Sequence, residues 1–426
     1  MDLQPNYKGL HKTEPSKLTV GMYVAQLDRP WEETNFPLQG FYVRNAGMIE
    51  RIANNCSFVY VDPRRYDSKL GEVKLKAVVS DGTPHPATNT KLSARERLIP
   101  KAPRNYENTV SINDEMPSAT TSLDEAEAIL STCVVKLQSN GGFDINAIED
   151  AITPLVQSVM RNQTALAALT RMRRMDDYIF SHAISCSVWG AVLARELGLP
   201  PDDINQVAFA CSLLDLGKTT LPLDLLNSPD KPDDEQWELL KDHVKRGVDL
   251  LCANGLEDQR ILIIIETHHE RHDGSGYPNG LAGNKIPAFG RIAGIVDSYD
   301  AMISVRPYAP ARSSYQAIQE IQKSAGTLFQ PELVDYFIRA IGVFPVGSIV
   351  ELNTGEVGVV LSQSDDSRLK PKLMLILEAN KQPREHLVII DLSNQQVESH
   401  QPLQWWITKE LPGNAYGIDP QKYFLG

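Results

Sequence analysis

The chain has 426 residues, of which 42% are hydrophobic and 23% charged, and its formal net charge is −12. These proportions are typical of a globular protein, and the length exceeds the roughly 250–300 residues that one hydrophobic core usually covers. The acidic balance argues against a general surface for DNA, RNA or anionic membranes. Neither a signal peptide nor an apolar run of roughly 20 residues, the length of a membrane span, is visible, so we expect a cytoplasmic protein.

The cysteine pattern agrees with that location. Five cysteines, an odd number, are scattered along the sequence without a CxxC pair. We therefore expect reduced and mostly buried thiols rather than a disulfide framework. They are Cys56, Cys133, Cys186, Cys211 and Cys252.

Residues 1–65 predict a small α+β module. Apolar and polar residues alternate as in strands, and residues 46–55 predict a short helix between two of them. No side chain in this module indicates chemistry, so its expected role is docking or sensing. Residues 66–120 are rich in Lys, Pro, Thr, Asn and Ser, which predicts a flexible linker in which prolines such as Pro117 interrupt any helix.

Residues 121–342 predict an all-α domain, because their hydrophobic periodicity is helical throughout. In the helix predicted over residues 233–253, the apolar stripe places Trp237 on the buried side. The apolar run 261–265 begins a further helix. The other predicted helices cover 122–138, 145–161, 176–197, 201–217, 233–253, 288–304, 313–324 and 331–341. Residues 343–426 alternate with a period of two and predict a small β-rich extension without a catalytic role. The predicted fold class is therefore mainly α.

A histidine-rich stretch, residues 265–283, holds three of the nine histidines, and glycines and a proline follow them. His268 and His269 are adjacent at the end of the predicted helix. Neutral imidazoles are good metal ligands, and glycine and proline favour a turning backbone. The first interpretation is a metal site that opens into a loop, and a satisfied polar helix end is the alternative.

Several polar side chains occupy positions where apolar ones are expected. Asp215 lies on the buried side of its predicted helix, four residues after Cys211. A buried, unpaired carboxylate is costly, so Asp215 needs a metal, a strong donor or a cation such as Lys218. The other such residues are Asp297, Asp300, His182 and His243.

Imidazoles and carboxylates without cysteine suit iron, manganese or zinc and do not suit copper or iron–sulfur clusters. Their number exceeds the four ligands of a tetrahedral zinc ion, and a carboxylate that bridges two metals accounts for the surplus. Two-metal sites activate water and stabilise both oxygens of a phosphoryl displacement, so hydrolysis of a phosphate ester is indicated. A zinc peptidase is disfavoured because His269-Glu270-Arg271-His272 is one residue shorter than His-Glu-x-x-His.

The residues His268-His269-Glu270, Asp273-Gly274-Ser275-Gly276-Tyr277-Pro278 and Gly280-Leu281 resemble the signature of HD-GYP domains. These form a branch of the HD phosphohydrolase superfamily that hydrolyses cyclic di-GMP. The resemblance covers about residues 125–340, and the N-terminal module resembles a domain of unknown function that often precedes HD-GYP domains in bacteria. The resemblance to HD-GYP domains implies an all-helical pocket that holds non-haem iron or manganese. We expect one or two such ions in this chain.

The resemblance also implies roles for individual residues. Asp215 would bridge the metals and, with Lys218, act in catalysis, while Lys218 and Arg306 would contact the phosphate of the substrate. The loop of Gly276, Tyr277 and Pro278 would form the mouth of the pocket. The implied metal ligands are His182, Asp215, His243, His268, His269 and Asp297, whereas His272 is expected to be exposed.

One position departs from the family pattern. Where the family has the histidine of the His-Asp pair, this chain has Leu214, which cannot coordinate a metal. The first metal keeps its ligands, but the second keeps only His182, Asp215 and Asp297. The expected function is hydrolysis of cyclic di-GMP to linear diguanylate and on to GMP, with reduced activity.

Two alternatives stay open. One is an inactive receptor that binds cyclic di-GMP, or a diguanylate cyclase (GGDEF) domain, and relays this to the N-terminal module. The other is a phosphohydrolase with a different nucleotide substrate, because HD enzymes share one site across several substrates and a fold does not fix function.

Overall fold

The computed structural model separates into two compact units, one of residues 1–89, 351–358 and 362–409, the other of 90–350, 359–361 and 410–426. The residues that the structure describes are 10–29, 40–43, 46–66, 100, 102–138, 142–173, 178–305, 311–363, 369–394 and 405–424. The predicted fold class is confirmed: helices dominate, and small strand-containing parts lie at both ends of the sequence.

The N-terminal part is a four-stranded sheet with one helix. Its elements are β1 (His11–Thr13), β2 (Met22–Leu27), β3 (Phe41–Tyr42), α1 (Ala46–Asn55) and β4 (Val59–Tyr66). The strand order is β1-β4-β2-β3, with antiparallel pairing throughout. Val24 and Val59 on the strands and Ile52 on α1 are fully buried. The predicted helix over residues 46–55 is confirmed.

The predicted linker is wrong in its last part. Residues 102–111 hydrogen-bond to the helical part of the chain, where the Arg104 amide donates to the Gly198 carbonyl (2.9 Å). Helix α2 (Ile112–Gln138) begins at Ile112 rather than at residue 122, and it includes Pro117. Because Pro117 lies near the helix start, its missing N–H removes only one hydrogen bond. Residues 67–99 of the predicted linker lie outside the described residues.

Helices build the part of the chain that carries the site. After α2 they are α3 (Ile145–Arg161), α4 (Ala165–Met172), α5 (Tyr178–Glu196), α6 (Pro201–Ser212), α7 (Leu223–Leu226), α8 (Asp234–Lys241), α9 (His243–Ala253), α10 (Gln259–Thr267), α11 (Ala288–Ile303), α12 (Ser314–Lys323) and α13 (Pro331–Ile341). α5 packs against α6, α11 and α13. Three fully buried aromatic side chains, Trp189, Tyr299 and Phe337, contact one another edge to face in this core.

Two predicted helices are wrong in extent. The helix predicted over 201–217 ends at Ser212, and a 3-10 turn covers Leu216–Thr220, so Asp215 lies in a turn. The helix predicted over 233–253 is two helices that meet at Asp242. The first of them, α8, buries none of its side chains, and Trp237 is 48% exposed rather than buried.

The C-terminal strands form a five-stranded sheet in the order β8-β7-β6-β5-β9. These strands are β5 (Ile349–Leu352), β6 (Val357–Ser362), β7 (Lys372–Leu377), β8 (Pro383–Asp391) and β9 (Ile407–Leu411). The predicted strands after residue 343 are confirmed, and β9 is an addition to them. Among the described residues, no helix has the length and apolar character needed to cross a bilayer.

Candidate metal centre

Helix ends and helix interiors contribute the polar residues of one buried site. His182 lies on α5, Asp297 lies on α11, and His243 is the first residue of α9. Asp215 lies in the turn after α6, and His268 and His269 directly follow α10. The structure brings all six sequence-predicted ligand candidates together in two groups that share Asp215.

The first group consists of Asp215, His243, His268 and His269, whose ligand atoms all lie within 4.8 Å of one another. His243 Nε2 lies 3.3 Å from Asp215 Oδ1 and 3.2 Å from His269 Nε2. These spacings match the edges of a coordination shell around one metal ion, for which metal–nitrogen and metal–oxygen distances are about 2.0–2.2 Å.

Backbone carbonyls fix the orientation of two of these imidazoles. His243 Nδ1 lies 2.6 Å from the Leu240 carbonyl, and His268 Nδ1 lies 2.6 Å from the Ile265 carbonyl. A carbonyl oxygen only accepts hydrogen bonds, so each Nδ1 carries the proton and each Nε2 keeps a free lone pair. Both carbonyls belong to the last turn of a helix, where carbonyls lack the regular donor four residues further on within the helix.

The second group consists of His182, Asp215 and Asp297. His182 Nε2 lies 3.1 Å from Asp297 Oδ1 and 3.4 Å from Asp215 Oδ2. The two oxygens of Asp215 therefore face different groups, Oδ1 the first and Oδ2 the second. This is the arrangement that a carboxylate bridging two metal ions requires.

Unpartnered buried atoms show that these residues fit divalent metal ions. Asp215 Oδ1 and His268 Nε2 are buried, and neither has a hydrogen-bond partner among the described residues. Buried polar atoms are normally satisfied, and here the lone pairs of Asp215 Oδ1, His243 Nε2 and His268 Nε2 converge without a proton between them. A cation removes that repulsion. Four imidazoles and two carboxylates suit iron, manganese or zinc.

The ionisation of the ligands agrees with metal binding. Burial acts to raise the pKa of Asp215, but Lys218 and the neighbouring histidines outweigh it and hold this pKa well below its usual range. Burial likewise opposes ionisation of Asp297, yet the hydrogen bond with His182 and nearby imidazoles lowers its pKa. Burial lowers the pKa of His268 to about 4. Near neutral pH the carboxylates are therefore charged and His268 is neutral, as ligands must be.

The glycine-rich loop is held against the first group by Glu270, which the sequence analysis did not single out. Its buried carboxylate accepts hydrogen bonds from the Asn279 amide (2.7 Å) and the Leu281 amide (2.8 Å). At Gly276 a Cβ would lie 2.4 Å from the His269 carbonyl oxygen, so only glycine fits. A carboxylate directly after two ligands and before a glycine-rich turn is the sequence signal that points to Glu270.

The same loop places an aromatic ring over the ligands. The Tyr277 ring stacks on the His269 imidazole with 4.6 Å between centroids. Pro278, which follows Tyr277 through a cis peptide bond, is exposed. The loop with the three predicted substrate-binding residues, which include Gly276, therefore lies beside His269 of the first group.

The remaining predicted residues have mixed outcomes. Lys218 Nζ lies 2.5 Å from Asp215 Oδ2, which is the pairing that the sequence left open. Leu214 is buried, as its apolar position implied. Arg306 lies outside the described residues. His272, which was expected to be exposed, is half-buried, and its amide donates to the Leu328 carbonyl.

Fold and site together define a class of protein. Residues 155–333 match the family model of the HD domain, and residues 349–397 match the KOW domain associated with HD domain. Residues 10–148 match a domain of unknown function, DUF3391. Residues 155–333 are thus similar to an HD domain, and the signature that begins at His268 resembles that of the HD-GYP branch.

Among known proteins, the chain is similar to the cyclic di-GMP phosphodiesterase PA4108 of Pseudomonas aeruginosa, with 27% identity over 94% of either chain. It is 38% identical to a cyclic di-GMP phosphodiesterase of Thermotoga maritima over 34% of this chain and 40% of that protein. It is 33% identical to the 3′3′-cGAMP-specific phosphodiesterase 2 of Vibrio cholerae over 37% of this chain and 31% of that protein.

Proposed function

We propose that this chain is a metal-dependent phosphodiesterase that hydrolyses cyclic di-GMP. The observation that carries the proposal is Asp215, whose two oxygens face two separate ligand groups. The relative from Pseudomonas aeruginosa, which matches over nearly the full length, is named for this substrate. The proposed products are linear diguanylate and, after a second cut, GMP, and the proposed location is the cytoplasm.

The proposed metal ligands are the six residues of the two groups. Iron or manganese fits their donor set, and one or two such ions would activate water and stabilise charge on the phosphate. Asp215 holds the two groups at one shared carboxylate. Lys218 supplies a positive charge beside Asp215 Oδ2, where it balances the charge of a bound phosphate, and Arg306 is proposed to act with it. Gly276, Tyr277 and Pro278 line the mouth.

A proposed division of labour follows the sequence-based domain boundaries. The helical part up to residue 342 carries the hydrolase, residues 1–65 sense or dock, residues 66–101 connect the two, and residues 343–426 form the β-rich C-terminal extension. Because α2 begins at Ile112, the helical part starts earlier in the chain than the predicted residue 121.

Leu214 favours a second candidate function. This side chain is 1% exposed and offers no ligand atom, so the second group has a single imidazole, His182. A weakly held second metal would leave a receptor that binds cyclic di-GMP, or a diguanylate cyclase domain, without hydrolysing it.

Metal counting and turnover of Leu214→His distinguish the two candidates. The chain is loaded with Fe(II) or Mn(II), its metal is counted, and cyclic di-GMP hydrolysis is measured for wild type, Leu214→His and Leu214→Phe. The phenyl ring of the last variant matches the size of imidazole without its ligand nitrogen. We expect slow hydrolysis by the wild type and gains in second-site metal and rate for Leu214→His alone.

Other results would redirect the assignment. Rapid hydrolysis by a wild type that holds two metals contradicts the receptor. A wild type that binds cyclic di-GMP without hydrolysing it contradicts the enzyme. If Leu214→His and Leu214→Phe behave alike, the role given to position 214 is wrong.

A further inference from the structure

Asp300 lies next to the second ligand group but is not one of the proposed ligands. It is 2% exposed and follows Asp297 by one helical turn on α11. Its Oδ2 lies 2.7 Å from His182 Nδ1, on the side of the imidazole away from Asp215 and Asp297. Its Oδ1 accepts a hydrogen bond from the Trp189 indole N–H at 3.1 Å.

This carboxylate determines which nitrogen of His182 can bind a metal. An ionised carboxylate only accepts hydrogen bonds, so His182 Nδ1 must carry a proton, and Nε2 is left as the nitrogen that can give up its proton and bind a metal. Nε2 is the atom that faces Asp297 Oδ1 and Asp215 Oδ2. In the first group, backbone carbonyls perform this task for His243 and His268.

A side-chain acceptor must itself be held in place. Trp189 holds Asp300 through the indole N–H, and the Ser304 hydroxyl donates to Oδ2 at 3.2 Å. The indole is fully buried and packs edge to face on Tyr299, so its N–H has a fixed direction. Asp300 is thus oriented on one oxygen by Trp189 and orients His182 with the other.

We propose that Asp300, held by Trp189, is a positioning residue that fixes the metal-binding tautomer of His182 and thereby the affinity of the second metal position. The proposal rests on the metal centre of the proposed function. With leucine at position 214, His182 is the only imidazole of the second group within the part of the chain that the structure describes. A wrong tautomer of His182 is therefore not compensated by a second imidazole of that group.

The substitution Asp300→Asn tests this at nearly constant size. The Trp189 N–H requires an acceptor, so the amide oxygen of the new side chain turns to the indole and its NH2 group faces His182 Nδ1. Nδ1 must then accept, which places the proton on Nε2 and blocks coordination. We expect the second metal to bind 10- to 100-fold more weakly, the usual effect of removing a hydrogen-bond partner of a ligand.

The double variant Trp189→Phe/Asp300→Asn supplies the rescue. Without the indole N–H, the amide oxygen is free to accept from His182 Nδ1, so at least tenfold of the lost affinity should return. Trp189→Phe alone keeps the carboxylate and should bind both metals. A purely structural role predicts the opposite order, because the double variant then carries two lesions in the core.

Two measurements on the full chain read out these variants. Titration with Mn(II) gives the affinity of each position, and nitrogen-15 spectra of histidine-labelled, metal-free protein report which ring nitrogens of His182 carry a proton. Support requires a protonated Nδ1 in wild type, an unprotonated Nδ1 with the proton on Nε2 in Asp300→Asn, and loss of affinity confined to the second position.

Four outcomes would overturn the proposal. They are unchanged second-site affinity in Asp300→Asn, equal loss of affinity at both positions, failure of the double variant to recover affinity, and a wild type that binds no second metal. None of these readouts needs hydrolysis. A chain that shows the expected metal binding but does not cleave cyclic di-GMP therefore contradicts the proposed function and leaves the role of Asp300 standing.

Discussion

Glu270→Gln should release the loop that carries Tyr277 while leaving the metal ligands in place. Glu270 is 4% exposed, and its carboxylate accepts two backbone hydrogen bonds, from Asn279 at 2.7 Å and from Leu281 at 2.8 Å. A glutamine side chain keeps one acceptor oxygen but turns its NH2 group towards the second backbone N–H. One bond is lost and two donors then face each other.

The size of the effect follows from those two bonds. A hydrogen bond to a charged group contributes about 1.5–3 kcal/mol, so opening of the loop should become easier by about 2–3 kcal/mol in Glu270→Gln. Each 1.4 kcal/mol is a factor of ten, so the amides of Asn279 and Leu281 should exchange with solvent about 30-fold faster or more. Metal content should not change, and the KM for cyclic di-GMP should rise because Tyr277 is no longer held over His269.

Hydrogen exchange of the metal-loaded chain is the assay, and Glu266→Gln is the matched control. Glu266 accepts a single 3.3 Å bond from the Asn279 side chain at an exposed position, so its effect should stay within about 0.5 kcal/mol. Equal exchange rates in the two variants, or unchanged protection of the Leu281 amide in Glu270→Gln, would refute the reasoning.

Three further predictions concern the same centre. His269→Ala removes a ligand of the first group and should remove that metal, and an unchanged metal count by elemental analysis would contradict the assignment. Gly276→Ala should displace the loop, because its Cβ would lie 2.4 Å from the His269 carbonyl oxygen. The protection of the Tyr277 amide against hydrogen exchange should therefore be lower in the variant than in the wild type, and equal protection would contradict the prediction. In the metal-free chain, burial lowers the pKa of His268 to about 4, below its ordinary value of 6.5. Between about pH 4 and pH 6.5 the imidazole of His268 is therefore protonated in the unfolded chain and neutral in the folded chain. The unfolding free energy from urea denaturation should fall as the pH drops from about 6.5 towards 4. An unfolding free energy that does not change over this pH range would contradict the prediction.

Much of the site was predictable from the sequence because one segment carries its densest signal. His268, His269 and the glycine-rich turn are contiguous, so their residue types and spacing are visible without a fold. The buried position of Asp215 followed from helical periodicity, although the helix itself ends earlier, at Ser212. Periodicity reports which side of a segment is apolar and cannot show where tertiary packing stops the helix.

The N-terminal and helical boundaries show the same limit. Pro117 predicted an interruption, yet α2 runs through it, because one missing hydrogen bond near a helix start is outweighed by packing along the rest of the helix. The apolar stripe predicted that Trp237 is buried, yet the helix is divided at Asp242 and Trp237 is 48% exposed. Local composition contains no information about which element a given face will meet.

The sequence by itself determined the residue types of the centre, the turning loop beside it and the missing imidazole at Leu214. Only the tertiary structure decided that the two oxygens of Asp215 face different groups, and that Asp300 rather than a backbone carbonyl orients His182. The reason is physical: coordination depends on atoms a few ångströms apart that come from helices far apart in the chain. Their directions are set by helix ends and packing, which residue order alone does not specify.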